Sequence, residues 1–231
     1  MTRKVLSIIP ARGGSKSLPR KNIIDFAGKP LLAWTIEASL NSKCITKTVV
    51  SSDDNEILNT SLEYGSEVIK RPSILATDTA TSESVVEHVL DCLESKGEKF
   101  DIVILLQPTS PLRSSEDIDG AFNMMLDPGV TSVISVFEID NKILKSLVEN
   151  QDGFLQGISN NKSPFMRRQD LPSVYMPNGA IYISEVETFI KNHSFFSHKT
   201  KGFPMLERKS VDIDSLSDLE LASNIFLNEK I

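Results

Sequence analysis

Short apolar runs alternate with stretches of helical period along most of the chain, and this alternation constrains the fold more than any other feature. Val5–Pro10 (VLSIIP), Thr48–Ser52, Glu67–Lys70, Asp101–Gln107 (DIVILLQ), Val130–Val136 and Ala180–Ser184 read as strands. Helical segments fall between them. Pro30–Leu40 has Pro in its first turn and sends Leu31, Leu32, Thr35, Ile36 and Leu40 toward a core. Asp53 and Asp54 are N-cap candidates for a helix through Glu63, and Ser114 or Ser115 caps another. Ser82–Lys96 carries Val85, Val86, Val89, Leu90 and Leu93 at helical spacing. A helix over Glu185–Asn192, a last strand at Lys209–Ile213 and a helix over Ser215–Asn228 complete the series. Such a series predicts a mostly parallel α/β sheet with helices on both faces. Asp101–Gln107, the most apolar run, is expected at its centre.

From Asp140 to Tyr175 the alternation fails, and the segment turns polar, with Gly153, Gly157 and the run Asn160-Asn-Lys-Ser-Pro164. It reads as an excursion at about 140–175 from a single domain spanning 1–231, serving either as a lid or as a subunit contact. Phe189, Phe195 and Phe196, costly to leave in water, favour the contact. With 25 Lys and Arg against 31 Asp and Glu, the formal charge is −6, which offers no global attraction for nucleic acid or an anionic membrane. Cys44 and Cys92 are too few for a disulfide framework and lack metal-ligand spacing. No apolar run is long enough for a signal sequence or a bilayer span, so a cytoplasmic location is expected.

Any phosphate chemistry must therefore come from a local cluster of cations. One follows the first strand: RGGSKSLPRK, with Arg12, Lys16, Arg20 and Lys21, joined by Lys29. Gly13 and Gly14 allow positive φ and close approach of backbone N–H groups to an oxyanion. Ligands of open α/β sheets bind beyond the carboxyl ends of the strands, where this loop lies. Neither G-x-x-x-x-G-K-[ST] nor G-x-G-x-x-G is present, so the cradle relies on side-chain cations and suits a nucleoside triphosphate. Near the C-terminus, Val211-Asp-Ile-Asp214 places two carboxylates at i and i+2, on one face of the expected strand and ~7 Å apart. Carboxylates so placed can share a hard divalent cation that also meets substrate phosphates, although an Asp before Ser215 is also an ordinary helix cap.

Four blocks then resemble one family in its own order: IIPARGGSKSLPRKNI (8–23), LLQPTSPLR (105–113), RRQDLPSVYMPNGAIYI (167–183) and SVDIDS (210–215). They look like the acylneuraminate cytidylyltransferases, or CMP-sialic acid synthetases, including enzymes for legionaminic and pseudaminic acid. The resemblance implies a Rossmann-like sheet and a reaction in which CTP and a nine-carbon 2-keto sugar acid give the CMP-sugar and pyrophosphate. It further implies that Arg12 and Lys16 hold the β- and γ-phosphates and Lys21 the α-phosphate. Gly13, Gly14 and Ser15 belong to the same nucleotide loop, and Ala11, Asn22, Arg71, Ala80 and Ser82 match positions that hold the cytidine. Asp212 and Asp214 match Mg²⁺ ligands. The group that removes the sugar's proton stays open among Asp212, Asp214 and a metal-bound hydroxide.

For the sugar, Gln107 stands where an amide would meet hydroxyls, and Arg168 and Lys145 match basic positions for the carboxylate. Tyr182, Phe195 and Phe196 match aromatic positions of the sugar pocket, contributed partly across a homodimer. The chain departs from some relatives at Met176, where they carry arginine, which points to a sugar with different substituents. A cytidylyltransferase for an eight-carbon keto acid and a non-catalytic nucleotide-binding protein are the alternatives. Trp34, Cys44 and Cys92 read as core residues, and His88, His193 and His198 show no ligand spacing.

Overall fold

The computed structural model describes residues 3–15 and 17–229. In chain order the elements are β1 (Val5–Pro10), a two-residue ribbon of β2 (Asp25–Phe26) and β3 (Lys29–Pro30), α1 (Leu31–Asn41), β4 (Lys47–Ser52) and α2 (Asn55–Glu63). Next come β5 (Glu67–Lys70), α3 (Ser82–Glu94), β6 (Ile102–Leu105), α4 (Ser115–Met124) and β7 (Ser132–Ile139). The last part holds the ribbon of β8 (Leu147–Glu149) and β9 (Leu155–Gly157), then β10 (Val174–Glu185), α5 (Val186–Asn192), β11 (Thr200–Pro204) and α6 (Leu216–Glu229). Seven strands form one sheet in the order β11-β7-β10-β6-β1-β4-β5. All neighbours are parallel except at β10, which runs antiparallel to both β6 and β7.

The period of two along each strand sorts the core into layers. Val5 and Ile9 of β1 and Ile102 and Ile104 of β6 join Leu32, Ile36, Ile57 and Ile118 of α1, α2 and α4 on one face. Leu6 and Ile8, with Val103 and Leu105, join Val86, Val89, Leu93 and Phe189 of α3 and α5 on the other. As expected for the most apolar run, β6 is the middle strand, its four residues all buried. A third cluster holds α6: Phe226 packs on Trp34 and Phe26, with ring centroids 4.5 and 5.7 Å away.

Local signals start the helices where the sequence placed them. Asp54, not Asp53, caps α2 by accepting from the N–H groups of Glu56 and Ile57. Ser114 and Asp117 form a reciprocal capping box on α4. Leu40, assigned to the core from its spacing, is exposed at the end of α1.

Two expectations fail at the C-terminal end. Lys209–Ile213 is not a strand: a 3₁₀ turn at Glu207–Lys209 is followed by irregular chain through Asp214. The strand that follows α5 is instead β11, paired in parallel with β7 from Thr200↔Ser132 to Pro204↔Val136. Its sequence, TKGFP, holds a glycine and a proline, which an edge strand tolerates because one side needs no partner. Between β7 and β10 the chain leaves the sheet, forming the β8–β9 ribbon and three 3₁₀ turns before β10 returns opposite β7 at Val174↔Ile139.

Candidate active site

Because β1, β4, β5 and β6 run parallel, their carboxyl ends open along one edge of the sheet. The loop after β1, the turn after β5, the bend after β6 and the irregular chain before α6 surround a cleft of about 300 Å³ there. Arg12, Lys21, Asn22, Arg71, Ala80, Ser82, Gln107, Asp212 and Asp214 all line it. A ligand seated there meets cations from one end of the chain and carboxylates from the other.

The loop after β1 is fastened on both sides. Ala11 is buried and donates its N–H to Ser51 O at 2.9 Å, while Asn22 Nδ2 donates to Arg12 O at 2.8 Å. Gly13 N–H donates to Asp53 Oδ1 at 3.0 Å. Neither Gly13 nor Gly14 adopts a positive φ, so the conformational reason given for them is replaced by a steric one at Gly13. A Cβ there would lie 2.7 Å from Asp54 Cβ and collide with the residue that caps α2, whereas one on Gly14 would meet nothing within 4 Å. Ser15 is half-buried in the loop, and Lys16 lies outside the described residues.

The loop's cations do not all converge. Arg20, with φ 56°, turns away to pair with Asp54 at 2.6 Å and with Glu56. Lys29 lies 3.5 Å above the Trp34 ring and pairs with Glu37. Arg12 and Lys21 are the described loop cations that face the cleft, each against a carboxylate: Arg12 Nη1 is 3.0 Å from Asp78 Oδ1 and Lys21 Nζ is 2.8 Å from Asp214 Oδ1. Arg12 also donates to Thr77 O at 3.1 Å. Arg71 is buried beside Asp53, 3.9 Å from Nε to Oδ1. Burial lowers its pKa and Arg12's charge adds to that, while Asp53 opposes the shift.

The carboxylate pair is positioned by a residue the sequence reading passed over. Thr109 O accepts from Ile213 N–H at 2.8 Å, and its side chain lies near enough to the Asp212 carboxylate to favour the ionised form. Ile213 between the two aspartates is buried in the α6 cluster, so Asp212 and Asp214 both project toward the cleft although the segment is not a strand. Asp212 is exposed as a residue, yet protein atoms crowd its carboxyl, and this desolvation raises its pKa; the Thr109 side chain opposes the rise and the charge of Asp214 adds to it. The signal for Thr109 was its place in the bend just beyond the central strand, where α/β sheets hold ligands.

The remaining sugar-side residues are spread more widely. Tyr182, opposite Leu105 on β10, packs its ring 5.9 Å from Phe195; burial raises its pKa and the nearby Asp212 charge adds to it. Phe195 is core, while its neighbour Phe196 is exposed and lines a separate apolar hollow with Ile134, Val136 and Tyr175. Lys145 and Arg168 sit on the excursion and do not line the cleft; Arg168 Nη2 lies 3.5 Å from Asp140. Met176 is exposed on β10.

Comparison with known proteins identifies the family. Residues 6–230 match the family model described as cytidylyltransferase. The chain is 34% identical over 226 residues to a pseudaminic acid cytidylyltransferase of Campylobacter jejuni, covering 96% of both proteins. It is 38% identical over 241 residues to the CMP-N,N'-diacetyllegionaminic acid synthase of Legionella pneumophila, covering 98% of both. Its fold matches a CMP:2-keto-3-deoxy-manno-octonic acid synthetase solved with CTP, with a TM-score of 0.71 at 18% identity over 98% of this chain and 99% of that one. The chain belongs to the cytidylyltransferase family, and it is a nucleotidyltransferase on a Rossmann-like, mostly parallel sheet.

Proposed function

We propose that this protein joins CMP from CTP to a nine-carbon 2-keto sugar acid and releases pyrophosphate. The observation that carries the proposal is a single cleft in which Arg12 and Lys21 face Asp212 and Asp214, with Gln107 at the same opening. Relatives of similar length are named for pseudaminic and legionaminic acids, which supports the nine-carbon reading over the eight-carbon one.

In this reaction the sugar's anomeric oxygen forms a bond to the α-phosphorus, and the bond from that phosphorus to the bridging oxygen breaks. Pyrophosphate leaves and the hydroxyl proton passes to a base. The chain's task is to position the partners and neutralise charge. Arg12, with Lys16, takes the β- and γ-phosphates; Lys21 meets the α-phosphate. Arg71, Asn22, Ala80 and Ser82 enclose the cytidine. Asp212, whose carboxylate lines the cleft, receives the hydroxyl proton in this reading.

Asp212 and Asp214 fit Mg²⁺. Both carboxylates line the cleft that would take the triphosphate, and together they would hold a hard divalent cation. Held there, Mg²⁺ would supply positive charge against the triphosphate.

The excursion also has a place in the proposal. Phe154, Leu155 and Phe165 stand 70%, 66% and 86% exposed on it. Burying them against a second copy gives a homodimer in which Lys145, Arg168 and Phe196 serve the sugar end of a cleft. No described helix is long and apolar enough to cross a membrane; a cytoplasmic location, where CTP is available, is part of the proposal. Phosphorus NMR of a reaction with CTP, Mg²⁺ and a nine-carbon sugar acid tests the proposal. A phosphodiester signal growing together with pyrophosphate is expected; hydrolysis to free CMP alone would overturn it.

A further inference from the structure

Behind Gln107 lies an arginine that no part of the reaction uses. Arg113 ends the bend after β6, is buried, and donates Nη1 to two main-chain carbonyls: Gln107 O at 3.2 Å and Ala180 O at 2.9 Å. The two carbonyls belong to different elements. Gln107 begins the bend that carries the sugar-facing amide, and Ala180 sits in the stretch of β10 where the register with β7 shifts between Pro177 and Tyr182. One guanidinium nitrogen thus pins the bend to the irregular part of the antiparallel strand.

The neighbouring glycine holds the side chain as Arg113 holds the backbone. Gly179 has φ 77°, and a Cβ built on it would lie 2.7 Å from Gln107 Oε1. The Gln107 amide is thus seated directly against the main chain of β10. A buried charge of this kind is expensive unless hydrogen-bonded. Burial pushes the Arg113 pKa down to about 9, Asp117 opposes the shift, and Nε and Nη2 find no hydrogen-bond partner among the described residues. What Arg113 contributes is therefore concentrated on the two carbonyls that Nη1 bridges.

We infer that Arg113, with Gly179, is a positioning residue for sugar recognition: it fixes where Gln107 presents its amide in the cleft and does not itself touch the substrate. The inference rests on the proposed reading of Gln107 as a sugar contact.

The test is a double-mutant cycle between Arg113 and Gln107, read as KM for the sugar acid and Kd for CTP. Arg113→Lys keeps the charge, but its Nζ stops about one bond short of Nη1 and cannot bridge both carbonyls in place; it is expected to raise the sugar KM about tenfold in the parent and less than about twofold in a Gln107→Ala background, with CTP Kd unchanged. Gly179→Ala, which crowds Oε1, serves as the second arm should Arg113→Lys fail to fold, and follows the same pattern. Equal penalties with and without Gln107, or a parallel loss of CTP binding, would overturn the inference and make Arg113 an ordinary core tie. A parent protein that binds CTP but turns over no nine-carbon acid would instead overturn the functional reading, and this assignment with it.

Discussion

Lys21 Nζ lies 2.8 Å from Asp214 Oδ1, a contact between residues 193 positions apart that brings the cationic edge of the cleft against its acidic edge. Both groups are claimed by the proposed reaction, Lys21 by the α-phosphate and Asp214 by the metal. Asp214→Ala is expected to lower kcat by about 10²- to 10³-fold while CTP Kd moves less than about tenfold. Pre-steady-state turnover beside equilibrium CTP titration checks this. Turnover and affinity falling in the same proportion would make Asp214 only a partner that orders Lys21.

Arg12 is likewise held by an acidic group, Asp78, at 3.0 Å, and both side chains are partly exposed. Nucleotide phosphates compete with Asp78 for that guanidinium. Asp78→Asn should tighten CTP binding by up to about fivefold, the scale of an exposed ion pair, whereas Arg12→Ala should weaken it by more than about tenfold. Calorimetric titration of both variants gives the answer; weaker binding in Asp78→Asn would show that Asp78 holds the loop in its working shape.

Asp212 links function to stability with a definite sign. Its pKa in the folded chain is raised above 3.8, so the folded state holds that proton more tightly than the unfolded one. Its contribution to stability is greatest below 3.8 and declines as pH rises through the raised value. At pH 7 the ionised carboxylate is therefore a cost to the fold. Asp212→Asn should abolish turnover yet melt at or above the parent's Tm at neutral pH. A lower Tm would contradict the sign.

Asp54 shows the opposite case. Its pKa is lowered, first by the Arg20 hydrogen bond, so its contribution is present above 3.8 and is lost as pH falls through the folded value. Asp54→Ala removes the cap of α2 and the anchor of Arg20, and urea unfolding at pH 7 should show a loss of about 1–2 kcal/mol. That loss should shrink toward acid pH, where the parent has already lost the contribution.

Much of the fold was legible because burial leaves a period in the sequence. The alternation of Val5, Ile9 against Leu6, Ile8 announces a strand covered on both faces, and Ser114 with Asp117 announces a helix start. The C-terminal strand was misplaced for a reason visible at Ile213. Its alternation with Asp212 and Asp214 is real, but Ile213 satisfies it by packing beside Phe26 and Leu112 and bonding Thr109, without entering the sheet. The strand at Thr200–Pro204 carried no such pattern, since an edge strand with Gly202 and Pro204 has little to bury.

The site was legible in part. The loop cations could be counted, but their directions could not, because Arg20 is drawn off by Asp54 and Glu56, residues more than 30 positions away. Thr109 and Arg113 act through the backbone they hold, which residue type alone does not reveal.

The exposed aromatics of the excursion predict the assembly. Phe165→Glu combined with Leu155→Glu should turn a dimer into a monomer in sedimentation at micromolar concentration, since a stable interface buries more than about 1,200 Å² and needs its apolar centre. The parent sedimenting as a monomer would remove the dimer from the account.

The central claim is tested most directly by pyrophosphate release with CTP and Mg²⁺, offering N-acetylneuraminic, legionaminic, pseudaminic and eight-carbon keto acids side by side. Release with one or more of the nine-carbon acids, well above that with the eight-carbon acid, is the result predicted. Preference for the eight-carbon acid, or silence with all four despite CTP binding, would contradict it.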